Sequence, residues 1–471
     1  MVSLFSVNDP YRIIGIIILL LIFRLPLYIT GTPMILPELH WLVIGEKLST
    51  GIHMYQGIWD NMGPLSASTY WIIDSLFDRS IPVLQFISFW LVVYQSYLFN
   101  RMLLVNNAYN SKTYVPALVY MILMNCFFDF SSLSPVLMSI TFLLLALNNI
   151  LKRIDKTTRD ELFLNTGIYL GMAALFYLPS SFFLLAFLIA LLFFTASITR
   201  RYLLLVYGFL LPLLLTWLYY FWHDAHEEFV SFFFESSLAL DPKILLDLFS
   251  LLIIFSIPLI YFILSLLRLS SRTRYVNFQV RYQYVMFFSL VAGFLSLLFS
   301  KEISAFQLMI LVPGLAFFIS HLFLLRRPGL KREILFTFFW GGLIFINLAG
   351  FYKFSPLDKL INQEDLIVKS SPWEIQTEGK KVLFLGDDLN VYSNCQLATP
   401  YFNWQFSMRH FDNLDYYDNL TAIYENFQND LPEIIIDPQN RAEEVFSKIP
   451  PLGQKYRNSK SPGLYHLKSG Q

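Results

Sequence analysis

The sequence predicts a polytopic α-helical membrane protein of about eleven spans, closed by a small extracytoplasmic α/β domain at its C-terminal end. Three observations carry this. Hydrophobic residues make up 56% of the 471 positions and charged residues only 14%, against about 25% charged in soluble globular domains. The apolar residues fall in runs that approach the roughly 20 residues needed to cross ~30 Å of hydrocarbon. The pattern stops near Tyr352, where charges, Asn and Pro return. The domains expected are therefore 1–351 in the membrane, including a long loop at 30–80, and 352–471 outside it.

The candidate spans are about 12–29, 82–104, 115–128, 135–151, 162–178, 181–198, 203–222, 244–267, 282–299, 304–325 and 333–350. The first apolar run leads into Pro26 and Tyr28 with no small-residue cleavage site, so it reads as a retained span rather than a removed signal. The third and fourth are short and together fit a hairpin that reaches only part-way. With the N-terminus in the cytoplasm, one side collects Lys112, Lys152, Arg153, Lys156, Arg159, Arg200, Arg201, Arg268, Arg272, Arg274, Arg281, Arg326, Arg327, Lys331 and Arg332. The other side holds Lys47, Arg79, Lys243 and Lys301. This positive-inside bias places the 30–80 loop and the C-terminal tail outside.

In the tail, KKVLFLGDD and EIIIDP read as short buried strands, GLYHLK as a third, and LTAIYENFQNDLP as a helix closed by Pro432. Net charge is zero, 34 basic against 34 acidic residues, so nothing points to nucleic acid as a partner. Cys126 and Cys395 lie far apart without ligand spacing, which argues against a disulfide framework or zinc site.

The loop at 30–80 organises the rest. It is too polar to cross a membrane and too aromatic for slack linker. It carries Glu38 and Asp60, His40 and His53, and Trp41, Trp59 and Trp71. Its stretch PELHWLVIGEKLSTGIHMYQGIWDNMGPLSASTYWI resembles the first outer loop of the C-type glycosyltransferase superfamily (GT-C), which includes protein O-mannosyltransferases and the lipid A aminoarabinose transferase. Glu38 falls at the second acidic position of that loop and Trp41 at its tyrosine. Gly51 and Tyr55 keep the spacing, and Asp60, Pro64 and Leu65 match D-x-K-P-P-L. SPVLMSITFLLLAL, LGMAALFYLPSSFFLL and KEISAFQLMILVPGLAFFI are similar to later elements of the family. The departures are Pro37 for the first acid, Met62 and Gly63 within the D-x-K-P-P-L stretch, and Ser134 at an acid of the second outer loop, with Asp129 five residues away.

The resemblance implies transfer of a sugar from a polyprenyl-phosphate donor to a lipid, glycan or protein acceptor at the outer face, in a bacterial cytoplasmic membrane. Such chemistry needs a carboxylate base and cations where leaving-phosphate charge develops. Glu38 is the base expected, or else a helix-start carboxylate favoured by the macrodipole. Asp60 has a substrate or metal role, or forms an Asx-type turn ahead of Gly63-Pro64. Asp129 lies at a membrane boundary, where acids are often functional, or stands in interfacial water. His40 and His53 suit a phosphate or a divalent metal, or are polar surface. Lys301 leads for the phosphate, with Arg79 and Lys243 as weaker versions; its bland reading is a snorkelling lysine beside Glu302. HDAHEE at 223–228 shows no fourth metal ligand and reads as a solvated helix end; a divalent metal is the one cofactor the sequence leaves open. The reading from a different class is a non-catalytic membrane scaffold or envelope-complex subunit. A transporter is weaker, because the spans read as nearly free of charge.

Overall fold

A computed structural model describes residues 1–155, 160–194, 199–236, 242–272, 275–354, 359–459 and 463–468. Lys156, Arg159 and Arg274, used above for topology, lie outside the described residues. The chain packs into two compact units. One comprises Met1–Pro33, Ile81–Thr216 and Leu240–Leu366, and is helical; the other comprises Met34–Ser80, Trp217–Ala239 and Ile367–Gln471.

Among the described residues seven helices are long and apolar enough to cross a membrane: Arg12–Thr30, Ile81–Val105, Pro135–Lys152, Thr199–Trp222, Asn277–Leu298, Ala305–Leu324 and Leu330–Phe351. An eighth is reached if Leu248–Ile254 and Ser256–Ser270, bent by 60° at their junction, form one span. The chain is thus a multi-pass helical membrane protein by the length and composition of its helices, and the described helices support seven or eight of the eleven expected spans. At the other three expected spans the described helices are shorter. The third is a nine-residue helix, Val115–Leu123, buried throughout. The fifth and sixth are the short apolar helices Glu161–Phe176 and Leu178–Phe194, the latter opening in a 3₁₀ turn that contains Pro179.

Lipid-facing and packed sides separate cleanly on Arg12–Thr30. Ile14, Ile18, Ile22 and Ile29 are exposed, while Leu20, Phe23 and Leu27 are buried. The same helix buries Arg24 completely. Its guanidinium donates to Asn125 Oδ1 at 2.8 Å, Ser88 Oγ at 3.1 Å and the carbonyls of Ser131 and Phe130 at 3.2 and 3.3 Å. Those acceptors include the break at 124–134, where helix Val115–Leu123 stops and carbonyls lack helical partners. Elsewhere the packing is close enough to need glycine. A Cβ on Gly208 would stand 2.3 Å from Leu164 O, and one on Gly167 would stand 2.2 Å from Leu205 O, as small residues allow between membrane helices. Two two-residue strands, β1 (Lys243–Ile244) and β2 (Glu302–Ile303), pair in parallel.

The second unit is mixed α/β. Its sheet contains β3 (Lys381–Phe384), β4 (Gln396–Leu397), β5 (Ile434–Ile436), β6 (Tyr456–Asn458) and β7 (Leu464–Leu467), in the order β4-β3-β5-β7-β6. β3 runs parallel to β4 and β5, and β7 antiparallel to β5 and β6. All three residues of β5 are buried, as expected of a central strand covered on both faces. The division into compact units does not follow the 351/352 boundary. The loop residues 34–80 fold with the tail, not with the helices that flank them in sequence. Trp59 is part of the tail's apolar core with Leu383, Tyr401, Phe411 and Ile435. Its N–H donates to Pro400 O at 2.9 Å and its carbonyl accepts from Asn403 N–H at 3.2 Å. Lys47 Nζ donates to Leu397 O at 2.9 Å and pairs with Asp430.

Candidate functional site

The site is built on the mixed unit by two helices and the turn between them. Ile35 is extended and Pro37 sits in the first turn of helix Leu36–Ser49. Glu38, at the third helical position, accepts from Ile35 N–H at 3.1 Å. Helix Pro64–Phe77 lies close alongside: a Cβ on Gly45 would be 2.7 Å from Tyr70 O, and the Trp41 and Tyr70 rings stack at 5.6 Å. Between the helices, Tyr55 takes φ 71° and donates its hydroxyl to Met62 O at 2.7 Å. Asp60 Oδ1 accepts from Met62 N–H at 2.8 Å, an Asx turn that leads into Gly63 and Pro64.

Asp60 has a second task. Its Oδ2 meets His40 Nε2 at 2.8 Å. The Asp60 side chain is fully buried and that of His40 is 12% exposed, while the imidazole stacks on Phe402 with centroids 5.1 Å apart. A buried carboxylate held at one oxygen by the backbone and at the other by an imidazole fixes that ring's orientation and tautomer. This is the geometry of a positioned general base with its orienting group. The sequence nominated both residues separately. Their pairing across twenty positions follows from the helix-turn-helix and was not visible in the pattern.

The other nominated residues fall in different surroundings. Glu38 is buried and caps the start of its own helix. His53 is half-buried. Its Nδ1 lies 3.3 Å from the Tyr219 hydroxyl and its ring 4.2 Å from that of His223. Partial burial, then the neighbouring His223, lowers its affinity for a proton. Arg79 donates to Glu46 Oε2 at 3.0 Å, Tyr392 O at 2.7 Å and Cys395 O at 2.9 Å, so its guanidinium ties helix Leu36–Ser49 to the tail. Burial pushes the Glu46 carboxyl up, with Arg79 opposing. In the helical unit, Asp129 Oδ2 accepts from Ser304 Oγ at 3.2 Å and Phe306 N–H at 2.9 Å, fixing the start of the 3₁₀ turn Ala305–Leu311. Lys301 leads into β2, its carbonyl accepting from Lys243 N–H at 2.8 Å. Within HDAHEE, Asp224 takes φ 52° and His226 packs edge-on against the rings of Trp217 and Phe221, which stack on each other. Among the described residues no group of three or more His, Cys, Asp or Glu side chains is placed to hold a metal ion.

No protein-family model matches the chain. A search of curated proteins finds no match. Among solved structures, the chain is similar to an archaeal oligosaccharyltransferase, AglB from Archaeoglobus fulgidus in complex with an inhibitory peptide and a dolichol-phosphate. The TM-score is 0.46 at 12% identity, over 98% of this chain and 74% of that one.

Proposed function

We propose that the chain is a membrane glycosyltransferase that moves a sugar from a polyprenyl-phosphate donor to an acceptor at the outer face of a bacterial cytoplasmic membrane. The reading is supported by a multi-pass helical protein whose one long loop carries the GT-C-like residues Glu38, Gly51, Tyr55, Asp60, Pro64 and Leu65. The observation that carries it is the His40–Asp60 pair, 2.8 Å apart, with the carboxylate buried and the imidazole at the surface of the unit. In this reading His40 takes the proton from the acceptor oxygen as that oxygen bonds to the anomeric carbon. The bond from that carbon to the donor phosphate breaks, and its electron pair leaves with the polyprenyl phosphate, so the sugar inverts. Asp60 holds the imidazole for proton transfer. The nominated acceptors are a lipid, glycan or protein, and any divalent metal would come with the substrates.

Turnover of polyprenyl-phosphate sugars by membranes bearing the wild type, His40→Gln and Asp60→Asn tests the reading. A positioned base contributes about 10²–10⁴-fold, so transfer should fall by roughly 10²-fold or more in both variants while expression persists. Unchanged transfer in both removes the pair from catalysis. Glu38→Gln keeps an oxygen for Ile35 N–H; loss of transfer there, with His40→Gln active, moves the base to Glu38. A second reading, a non-catalytic scaffold, is favoured by the structural bonds made by Glu38, Arg79 and Asp129. It predicts wild-type membranes with no donor turnover at all.

A further inference from the structure

The helical unit contains a polar cleft that the reading above does not use. We infer that it binds a phosphate group, from a lipid headgroup or from free phosphate. It lies where helix Ile81–Val105 ends and helix Val115–Leu123 begins, and measures about 230 Å³ including its open mouth. Asn100, Asn107, Ser111, Lys112, Thr113 and Pro116 line it with three apolar or aromatic neighbours, and no carboxylate does.

Asn100 marks the floor. It is 1% exposed, and neither its Nδ2 nor its Oδ1 has a protein hydrogen-bond partner. Buried amides are nearly always satisfied, because leaving one bare is costly. The surrounding loop is otherwise tightly bonded. Asn106 Nδ2 donates to Met102 O at 2.7 Å, Tyr109 OH to Phe317 O at 2.9 Å, and Thr113 Oγ1 to Phe5 O at 2.8 Å. Gln279 Nε2 bridges Asn107 O and Asn110 Oδ1 at 3.3 and 3.0 Å. The last carbonyls of helix Ile81–Val105 are also met, with Met102, Leu103 and Leu104 accepting from Asn106, Ala108 and Asn107 N–H. The loop is therefore held in place while Asn100, Ser111 and Lys112 make no side-chain hydrogen bond among the described residues.

The electrostatics favour an anion. Lys112 supplies a full positive charge. Thr113 and Pro116 stand at the N-terminal, positive end of helix Val115–Leu123. A phosphate oxygen accepts from Asn100 Nδ2, Ser111 Oγ and Lys112 Nζ. A hydroxyl on the phosphate or on a glycerol headgroup donates to Asn100 Oδ1. Helix Ile81–Val105 is 25 residues long, about 37 Å at 1.5 Å per residue, long enough to cross a membrane. The cleft stands at its C-terminal end, and a headgroup phosphate is the lipid chemistry that such an end would meet.

The test is native mass spectrometry of the intact protein in maltoside micelles, titrated with dioleoyl phosphatidylglycerol, with and without millimolar inorganic phosphate at constant ionic strength. Asn100→Leu and Lys112→Gln are expected to weaken lipid retention by about tenfold or more, the worth of a hydrogen bond to a charged group. Retention that survives inorganic phosphate identifies a headgroup site, and retention that inorganic phosphate abolishes identifies a site for the free anion. Equal lipid retention and equal response to phosphate in the wild type and in Lys112→Gln, an exposed position that does not threaten folding, overturn the inference and leave a hydrated cleft. Asn100→Leu adds a thermal readout: its melting temperature without ligand should be no lower than that of the wild type.

Discussion

Arg24 in the helical unit and Lys47 in the mixed unit satisfy a buried charge differently. In the helical unit, Arg24 is fully buried and its hydrogen bonds go to an amide oxygen, a hydroxyl and two backbone carbonyls, all uncharged. In the mixed unit, Lys47 meets Asp430, Arg79 meets Glu46 and His40 meets Asp60. The difference teaches what each setting can supply. An arginine inside an apolar unit finds fixed dipoles where a helix breaks, and its planar fork reaches several at once. The mixed unit is only partly desolvated. Opposite charges there pair at modest cost and tie together segments far apart in sequence.

Arg24→Leu strikes hardest at this comparison. It strips donors from Asn125, Ser88 and two carbonyls around a fully buried side chain, so thermal unfolding of detergent-solubilised protein should show a loss of about 3 kcal/mol. Arg24→Lys should recover little of it, because an ammonium cannot span the same acceptors. An unchanged midpoint in Arg24→Leu would mean that charge and dipoles are not coupled there.

Gly208→Val should cost about 2 kcal/mol by overpacking, since its Cβ would meet Leu164 O at 2.3 Å. Gly341→Ala, with nothing within 4 Å of its Cβ, should be silent in the same assay. Equal effects would show that close backbone approach does not hold the helical unit together.

Lys47→Met should destabilise the mixed unit by about 2 kcal/mol and change its acid response. Burial alone pushes the Asp430 carboxyl up, but hydrogen bonds from Lys381 and Lys47 outweigh it and hold the group below the ordinary range. Its stabilising contribution is therefore complete above the unfolded value, near 3.9. It is lost as pH falls through the lower folded value. Melting curves between neutral pH and about pH 3 should lose less stability on acidification in the variant than in the wild type. A steeper acid loss in the variant contradicts the pairing. At the small end, Lys448→Ala removes a surface pair with Asp415, and such exposed pairs contribute little. Its melting temperature should match that of the wild type.

Much of the architecture was legible because hydropathy is a local property. The apolar runs marked the long helices, and the change near Tyr352 marked the approach of the mixed unit. Trp59, Asp60 and Pro64 were recognisable as a structured turn, and both halves of the His40–Asp60 pair were nominated, with polar surface and an Asx turn as their plain alternatives. Arg24 was also legible and passed over: it is an arginine inside the first apolar run, a signal that an ionisable group in a span has a buried partner. The short helices were legible in part: Asn125, Asp129 and three serines fall within 124–134, and Pro179 with two serines within Leu178–Ser181, where the backbone leaves the α-helix. Apolar content counted the flanking runs as spans, while the length of each helix depends on where its hydrogen-bonded ladder stops.

The sequence by itself determined the class of protein, the long membrane helices and the loop in which function was sought, since each depends on residues that are neighbours in the chain. The tertiary structure decided the partnerships. It packed 34–80 with the tail and joined Lys47 to Asp430 across 383 positions. It set Arg24 against a helix break about a hundred residues away and turned two isolated candidates into a hydrogen-bonded pair. These contacts depend on which surfaces close over one another when water leaves. No local pattern of side chains specifies that, because the same arginine, lysine or histidine can be satisfied equally well by solvent until packing removes the solvent.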